Sequence, residues 1–430
     1  MNTSFRIREL LEVIFSKISD KALSLKKKIY ITLIFLFSSA VVADYFFNYI
    51  FGGGPEGESY DLAINYRIKS PSPSNDIVIL DIDERSLSLL SNDYGRWPWP
   101  REVHAEILAS LESENPKSLI FNILITDPDK KNPEGDTILD EVTSTTEKTV
   151  YPITRLSSEN DNKSQLLVSK IPGAKVNENF DDKTVAVLLP FLAGMQQNMG
   201  ISNLSSDEGS LIRSYALNYA ENEWSMKSLV GKAVELFDDK KDINEVIYLN
   251  WRNKRGDYKR ISIGDYFLYL QGVNDDFDYS FENKHIIIGA TAPGISSPKG
   301  TPISSYTDDN LILATALDDA INNTDIKLLP DWISVLITLL VIFTTGYLFI
   351  VESEMDPDKL FLVMEISAAA LMYGVINFSN YFVDLSPVLA FGLAFYAVIK
   401  TIQITGRNSL FGSSNNFTTA IKSENISYCI

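Results

Sequence analysis

Residues 77–83 read IVILDID and residues 117–125 read KSLIFNILI, and these two apolar, β-branched runs decide the fold. Turn residues bound each run, which is typical of strands that are buried on both faces. The segment between them, residues 101–114, has an apolar face at helical spacing, formed by Val103, Ile107, Leu108 and Leu111. This order predicts a strand–helix–strand unit with parallel strands.

Shorter apolar runs outside this unit predict three more strands, at Thr184–Leu189, Ile247–Trp251 and His285–Gly289. Residues 309–322 have the pattern of a helix, whereas residues 156–179 are polar and are predicted to be a loop or an insertion. We therefore expect an α/β domain with a central, mostly parallel sheet.

Long uncharged segments flank this domain on both sides. A helix needs about 20 apolar residues to cross a bilayer, and four segments of the chain approach or exceed that length. The predicted order is an amphipathic basic arm, a first span, the α/β domain, three further spans and a short tail, at residues 1–28, 29–51, 52–330, 331–351, 360–379, 384–401 and 402–430.

Basic residues before the first span predict the orientation, because Lys and Arg are retained in the cytoplasm. The arm carries seven of them: Arg6, Arg8, Lys17, Lys21, Lys26, Lys27 and Lys28. We expect a multi-pass protein of the plasma (inner) membrane with both termini cytoplasmic and residues 52–330 extracytoplasmic. Two roles stay open for the arm: contact with the inner leaflet or packing against a partner helix.

The charge balance excludes one class of function. The net charge of −18 and the pI near 4.6 argue against nucleic-acid binding, which requires a basic surface. The single cysteine, Cys429, excludes an intrachain disulfide and a cysteine-based zinc site.

One motif is more specific than these patterns. Residues 95–105 read GRWPWPREVHA, which resembles the GxWPWPRxxHA core of the type-two CHASE domain, an extracytoplasmic sensory domain. The resemblance extends to Tyr60–Arg67, to the strands at 77–83 and 121–128, and to Ile286–Ala292 followed by Thr301-Pro302. With one span before the domain and three after it, the resemblance covers roughly residues 29–401.

The chain departs from this family in two places. Asn122 replaces an aspartate of the family pattern, so a ligand role that depends on that aspartate is in doubt. Only about 30 residues follow Lys400, whereas family members commonly continue into a cytoplasmic catalytic domain. If the chain is complete, we expect its output to come from another protein.

The resemblance and these departures leave two main hypotheses. The first is a sensor that signals through a separate cytoplasmic or membrane partner. The second is a structural or accessory subunit of a larger envelope complex that keeps the sensory fold. Transport is a weaker third hypothesis, which rests on acidic residues near the spans: Asp44, Glu365 and Asp384.

Carboxylates after the first two strands form a candidate ligand site. If those strands are parallel and adjacent, Asp81, Asp83, Asp127 and Asp129 all approach the carboxyl edge of the sheet, where open α/β folds bind ligands. They would bind a hard cation or a basic group there. Alternatively, Arg67 or Arg101 neutralises one of them, or they act as helix caps and solvated turn residues.

The tryptophan-rich motif also has two interpretations. Pro98 and Pro100 restrict the backbone and fix the entry to the helix that begins near Arg101. Trp97 and Trp99 then either cap the sheet edge or form a stacking platform for a ligand, and His104 is expected to be packed on its helix. The candidate ligand-binding residues are Asp81, Asp83, Asp127, Trp97, Trp99 and Arg101.

We expect no enzyme activity, no cofactor and no metal site. The chain contains no GxxxxGK[ST], GxSxG or HExxH motif, and its two histidines, His104 and His285, are far apart in sequence. The expected partners are the lipid bilayer, an unidentified protein and, in the case of a sensor, a second copy of the chain.

Overall fold

The structure is a computed structural model that describes residues 3–47, 58–177, 183–204, 211–221, 223–238, 244–252, 258–274, 276–351 and 356–405. Side chains are described from residue 25 onward. Several predictions fall partly outside these residues: the two faces of the basic arm, the end of the first span at 48–51, and the tail from 406 to 430.

Eleven α-helices lie within the described residues. They are α1 (Thr3–Phe47), α2 (Glu58–Tyr66), α3 (Glu84–Tyr94), α4 (Arg101–Ser113), α5 (Pro133–Thr145), α6 (Leu229–Phe237), α7 (Ile263–Leu270), α8 (Asp309–Asn322), α9 (Trp332–Val351), α10 (Pro357–Phe378) and α11 (Ser386–Thr405).

The described residues also form sixteen strands. They are β1 (Ile77–Ile82), β2 (Ser118–Phe121), β3 (Thr149–Arg155), β4 (Lys175–Val176), β5 (Val187–Leu188), β6 (Met199–Ile201), β7 (Ser214–Ala216), β8 (Asn218–Glu221), β9 (Trp224–Lys227), β10 (Val246–Tyr248), β11 (Lys259–Ser262), β12 (His285–Ala290), β13 (Lys299–Thr301), β14 (Ser304–Thr307), β15 (Lys327–Leu328) and β16 (Tyr381–Phe382).

A seven-stranded sheet forms the centre of the α/β fold. Its strand order is β11-β1-β12-β2-β3-β5, and β6 also pairs with β3. Every pairing in it is parallel except β3 with β5. This architecture confirms the predicted fold class of a mostly parallel sheet among helices.

The sheet order corrects the expectation that β1 and β2 are neighbours. They are parallel, but β12 lies between them and pairs with both. β12 comes from much later in the chain, so the connection from β1 through α3 and α4 skips one strand position. A second correction concerns β10, which pairs antiparallel with β7 outside the central sheet.

Helices cover the central sheet because its strands are apolar on both faces. All six residues of β1 and all four of β2 are buried. The predicted apolar face of α4 is buried in the same core as β1 and β2. This face consists of Val103, Ile107, Leu108 and Leu111. The hydrophobic effect of this burial is the main stabilising contribution to the fold.

A smaller second core lies beside the central sheet. It contains Val168 and Ile171, which the polar composition of residues 156–179 had not indicated as core residues, together with Met199, Trp224 and Met226. Antiparallel strands in the order β4-β9-β8 form its outer layer. The predicted insertion is therefore a packed subdomain within the α/β fold.

Within the part of the chain that the structure describes, four helical segments are long and apolar enough to cross a membrane: Leu25–Phe47, Trp332–Val351, Pro357–Phe378 and Ser386–Thr405. Glycines allow close packing among them. A Cβ at Gly346 would lie 2.4 Å from Ile34 Cδ1, and one at Gly392 would lie 2.2 Å from Glu365 Oε1. The segments thus form a packed helical unit.

The chain divides into two compact units, which we call the helical unit and the α/β unit. The helical unit contains Met1–Tyr60, Leu328–Ile376 and Tyr381–Ile430, whereas the α/β unit contains Asp61–Lys327 and the short segment Asn377–Asn380. That segment comprises the last two residues of α10 and the two residues that follow it. Its membership of the α/β unit could not be predicted from the sequence pattern.

Candidate functional site

A cavity of about 410 Å³ opens beside the carboxyl ends of β2 and β12 and the start of α4. Its volume is within the range of small-molecule binding sites. Twelve residues line it: Trp97, Pro98, Arg101, His104, Asn122, Ile123, Leu124, Ile125, Thr126, Asp127, Ala290 and Ile295. The first four come from the tryptophan-rich motif and its helix, and the next six follow β2 directly.

The tryptophan-rich motif builds one wall of this cavity. The Trp97–Pro98 peptide bond is cis, and α4 begins at Arg101, directly after Pro100. The Trp97 and Trp99 rings meet edge to face with centroids 5.0 Å apart. Trp99 is only 2% exposed and belongs to the core, whereas Trp97 is half-buried and lines the cavity. The two tryptophans therefore have different roles.

His104 is the most unusual group in the cavity wall. It is 1% exposed and packs against the rings of Trp97 and Phe121 at centroid distances of 5.6 and 5.8 Å. Burial, assisted by the positive charge of Arg101, lowers the pKa of His104 to about 3. The imidazole is thus neutral at physiological pH, with one donor and one acceptor nitrogen.

Neither ring nitrogen of His104 has a hydrogen-bond partner among the described residues. Buried polar atoms in native proteins nearly always have a partner, which is protein, water or ligand. The second histidine provides a contrast. His285 lies at the amino end of β12, where Nδ1 is 2.8 Å from the Ser118 hydroxyl, and burial lowers its pKa to about 4.

Arg101 and Asp127 bring opposite charges to the cavity. Arg101 contacts a carboxylate oxygen of Asp136 and the backbone oxygen of Asp127, both at the long distance of 3.4 Å. The carboxylate of Asp136 is held more firmly by the Asp129 amide, at 2.6 Å. The Asp127 carboxylate accepts a hydrogen bond from Thr126. Arg101 therefore keeps donor capacity that these two contacts do not use.

Asp81 and Asp83 lie at the same edge of the sheet but do not line this cavity. Arg260 on β11 donates to both oxygens of Asp81, at 3.1 and 2.9 Å, and Asn310 adds a third hydrogen bond. Asp83 caps α3 by accepting from the Ser86 amide and also accepts from the Ser262 hydroxyl. The acidic residues therefore form two separate groups, because β12 separates β1 from β2.

The arginine that neutralises Asp81 differs from both expected candidates. Arg67 donates to Asn250, and Arg101 lies at the cavity, so neither contacts Asp81. Arg260 was missed because its strand, KRIS, has a single apolar residue and no alternating pattern. Despite this partner, burial dominates and raises the pKa of Asp81.

Of the six predicted ligand residues, the structure brings Trp97, Arg101 and Asp127 together at the cavity. It adds His104 and Asn122, which the sequence marked only as a packed helix residue and as a departure from a pattern. The available signal was their position in the sequence: His104 lies in the tryptophan-rich motif, and Asn122 lies directly after β2. No cluster of three or more His, Cys, Asp or Glu suited to a metal ion occurs among the residues described.

The fold and the cavity agree with the comparison to protein families. The family model of the CHASE2 domain matches residues 33–348 of the 430. This chain belongs to the CHASE2 family. CHASE2 domains are sensory extracytoplasmic domains, and the match includes the second part of the first span, the central sheet, the cavity and most of α9.

The resemblance seen in the tryptophan-rich motif is thereby confirmed, and the chain is a membrane protein with a CHASE2 domain. Neither the curated proteins nor the solved structures include a significant match to it. The role of the cavity is consequently argued from its own residues.

Proposed function

We propose that this CHASE2 protein is a membrane-anchored sensor whose α/β unit binds a small ligand in the His104 cavity. The signal then passes to a separate cytoplasmic or membrane protein. The observation that carries this proposal is the buried His104 imidazole, which lies in the cavity wall and has no hydrogen-bond partner for either nitrogen among the described residues. A bound ligand supplies the missing hydrogen bonds.

Energetics favour a ligand at this position. A buried polar group without a hydrogen-bond partner costs about 1–3 kcal/mol. The protein without a ligand is therefore less stable than it would be with the His104 nitrogens hydrogen-bonded. A ligand that both donates to and accepts from the imidazole recovers this free energy on binding. A sensory domain responds to a ligand only if binding changes the relative free energies of its conformations.

The charges of the cavity indicate which ligands fit. The wall has one basic and one acidic side chain, Arg101 and Asp127. His104 is neutral, and Asn122 and Thr126 contribute uncharged polar groups. Trp97 provides an aromatic surface on the wall. We infer a small polar ligand without net charge, with neighbouring donor and acceptor groups such as hydroxyls or amides.

The segment Asn377–Asn380 is the proposed route of transmission. The Asn377 side chain accepts hydrogen bonds from the backbone amides of Ile68 and Lys69, at 2.7 and 3.1 Å. The backbone oxygen of Asn380 accepts from Lys327 at 2.7 Å. Because this segment continues into α10 on one side and α11 on the other, a change in the α/β unit reaches two spans along the chain itself.

The orientation completes the proposal. The basic residues before the first span support a cytoplasmic N-terminus, and an even number of spans then places the C-terminus on the same side. The α/β unit would be extracytoplasmic, as in the family to which it belongs. Signal transduction in this arrangement requires a protein that contacts the spans or their cytoplasmic ends.

We also propose that the protein is not an enzyme. The two histidines lie at opposite edges of the sheet, and both have pKa values too low for a general base near neutral pH. The cavity contains a carboxylate, Asp127, but its nearest described hydrogen-bond donor is the hydroxyl of the adjacent Thr126. This pair does not resemble an activated nucleophile and base.

Ligand binding can be tested on the full chain in lipid nanodiscs with a panel of small uncharged metabolites. We expect at least one compound to raise the melting temperature of the wild type, because a ligand that binds only the folded state stabilises it. Asn122→Leu, which removes the amide from the cavity, should abolish the shift. Asn160→Leu, a substitution of the same kind outside the cavity, should retain it.

Two results would contradict this binding site. One is a stabilisation that persists unchanged in Asn122→Leu. The other is the absence of any stabilising compound for the wild type, which would favour the hypothesis of a structural subunit.

Signalling through a partner requires a second experiment, in which the tagged protein is purified from native membranes in mild detergent and its partners are identified by mass spectrometry. A stoichiometric kinase, cyclase or phosphatase is expected. A stoichiometric set of envelope subunits without any signalling enzyme would replace the sensor by the structural alternative.

A further inference from the structure

A second cavity, of about 130 Å³, lies in the small subdomain and is separate from the His104 cavity. We call it the lysine cavity. Three lysines contribute to its wall: Lys175 of β4, Lys227 of β9 and Lys232 of α6. The cavity shares no lining residue with the His104 cavity. An inference about it therefore does not depend on the proposed function.

The positive charge of this cavity is largely unbalanced. Lys232 lies 3.1 Å from Glu235, the one acidic residue in the wall. The ammonium groups of Lys175 and Lys227 have neither an ion pair nor a hydrogen bond among the described residues. Three like charges around one partly open cavity repel each other, and an anion that lies between them would offset this repulsion.

This arrangement is unexpected for the protein as a whole. The chain has 56 acidic and 38 basic residues, so acidic partners are abundant. Several basic side chains elsewhere in the α/β unit have them: Lys117 and Lys284 both pair with Asp76, and Arg155 pairs with Asp161 and Glu221. Among the described residues, the wall of this cavity contains one carboxylate, that of Glu235.

The remaining wall is suited to a compact anion. Asn218 and Gln197 have amide groups that can donate hydrogen bonds, and the sulfur-containing side chains of Met199 and Met226 form an apolar part. At about 30 Å³ per water molecule, the cavity has room for about four waters. That volume suits a phosphate or a short dicarboxylate, and it excludes a nucleotide.

We propose that the lysine cavity binds a compact anion with two or more negative charges, held by Lys175, Lys227 and Lys232. Lys175 is on the two-residue edge strand β4, while Lys227 and Lys232 lie on either side of Ser228, which caps α6. The anion would thus connect β4, β9 and α6, three elements that otherwise meet around an apolar core. Binding stabilises the small subdomain and makes it responsive to anion concentration.

The test measures thermal unfolding of the full chain in nanodiscs of uncharged lipid, with inorganic phosphate or succinate added. Sodium chloride at matched ionic strength is the reference, because simple screening also affects a chain with a net charge of −18. We expect a saturable rise in melting temperature with at least one of the two anions. A larger effect of phosphate indicates a phosphate-like ligand, and a larger effect of succinate indicates a carboxylate.

The decisive comparison is between two double variants with the same change in net charge. Lys175→Gln with Lys227→Gln should weaken the apparent affinity about tenfold or more, because two charged hydrogen bonds to the anion are lost. Lys130→Gln with Lys131→Gln, at two exposed positions outside the cavity, should bind as the wild type does. Lys227→Arg keeps the charge and should preserve most of the binding.

Three outcomes would overturn the proposal. They are that chloride reproduces the full rise, that both double variants respond equally, and that neither phosphate nor succinate stabilises the wild type. The first two outcomes would show a general salt or surface-charge effect, and the third would show that the cavity does not take anions of this class. None of these outcomes affects the His104 cavity, which has its own variant and its own uncharged probes.

Discussion

His104 shows how a single side chain determines the character of a site. Its pKa of about 3 lies far below the ordinary value of 6.5, since the charged imidazolium is unfavourable in this buried position. The folded protein therefore takes up a proton at His104 much less readily than the unfolded chain does. This difference makes stability depend on pH with a defined sign.

The stabilisation associated with neutral His104 is fully present above pH 6.5 and is lost as the pH falls toward 3. Other groups titrate in the same range, such as Asp319, whose pKa is raised to about 6 by burial and which acts in the opposite direction. The effect of His104 is therefore seen in the difference between two proteins. Relative to that of His104→Gln, the free energy of unfolding of the wild type should fall by about 2 kcal/mol between pH 6.5 and 5.

The measurement is the free energy of unfolding of both proteins across this pH range, with His285→Gln as a control at the other histidine. The control also loses a titrating imidazole, but outside the cavity, so only His104→Gln should in addition alter binding of uncharged ligands. A wild-type-minus-His104→Gln difference that does not vary with pH would show that the imidazole can be protonated in the folded state.

Arg260 illustrates what sequence reasoning misses at the residue scale. The expectation that a basic residue neutralises one of the aspartates is correct for Asp81, but the partner comes from a strand 179 positions later in the chain. Local patterns indicate that a carboxylate at a strand end needs a partner, and they do not indicate which distant side chain the fold brings there.

At the scale of elements, strong local patterns were sufficient for β1, α4 and β2. Each has a continuous apolar run or a clear helical face, so its type follows from the sequence. The strand predicted at 117–125 is nevertheless too long, because β2 ends at Phe121 and residues 122–127 line the cavity. The run at 247–251 is also apolar, but it forms only the short strand β10, which pairs with β7. An apolar run predicts burial, whereas the choice of pairing partner depends on the rest of the fold.

Helix α6 depends on a glycine for its close approach to the preceding chain. A Cβ at Gly231 would lie 1.9 Å from the backbone oxygen of Leu217, and a backbone atom cannot move aside as a flexible side chain does. We therefore expect Gly231→Ala to destabilise the protein by about 1–3 kcal/mol despite the better helix propensity of alanine.

Chemical unfolding of the full chain, followed by tryptophan fluorescence, tests this expectation. Gly374→Ala is the matched control, since Gly374 is also helical but has no atom within 4 Å of the added Cβ. Unfolding of Gly231→Ala at the wild-type denaturant concentration would mean that α6 can shift away from Leu217 at little cost.

At the scale of the whole molecule, the division of the chain into two units was only partly foreseeable. Hydropathy identifies the apolar segments, because a membrane span is a continuous local feature. It gives no indication that Asn377–Asn380, a short polar connection between two of them, belongs to the α/β unit. That assignment depends on hydrogen bonds to residues about 310 positions earlier.

These hydrogen bonds lead to a prediction for hydrogen exchange. Asn377→Ala removes the acceptor of the Ile68 and Lys69 amides, so their exchange should become about tenfold faster, which corresponds to about 1.4 kcal/mol of local opening. Mass spectrometry of the exchanged full chain measures the peptides that contain them. The amides of Val78 to Leu80 in the central sheet serve as the internal reference. Equal exchange at all sites in wild type and variant would show that Asn377 does not protect the Ile68 and Lys69 amides.

The position of β12 also governs the order in which the protein can assemble. Its partner Ser118 precedes His285 by 167 residues, so the facing edges of β1 and β2 stay unpaired until the strand between them has been synthesised. Such edges can pair with other extended chains. During biogenesis, the first half of the α/β unit therefore has two unpaired strand edges, and the central sheet closes only when β12 (His285–Ala290) has been synthesised.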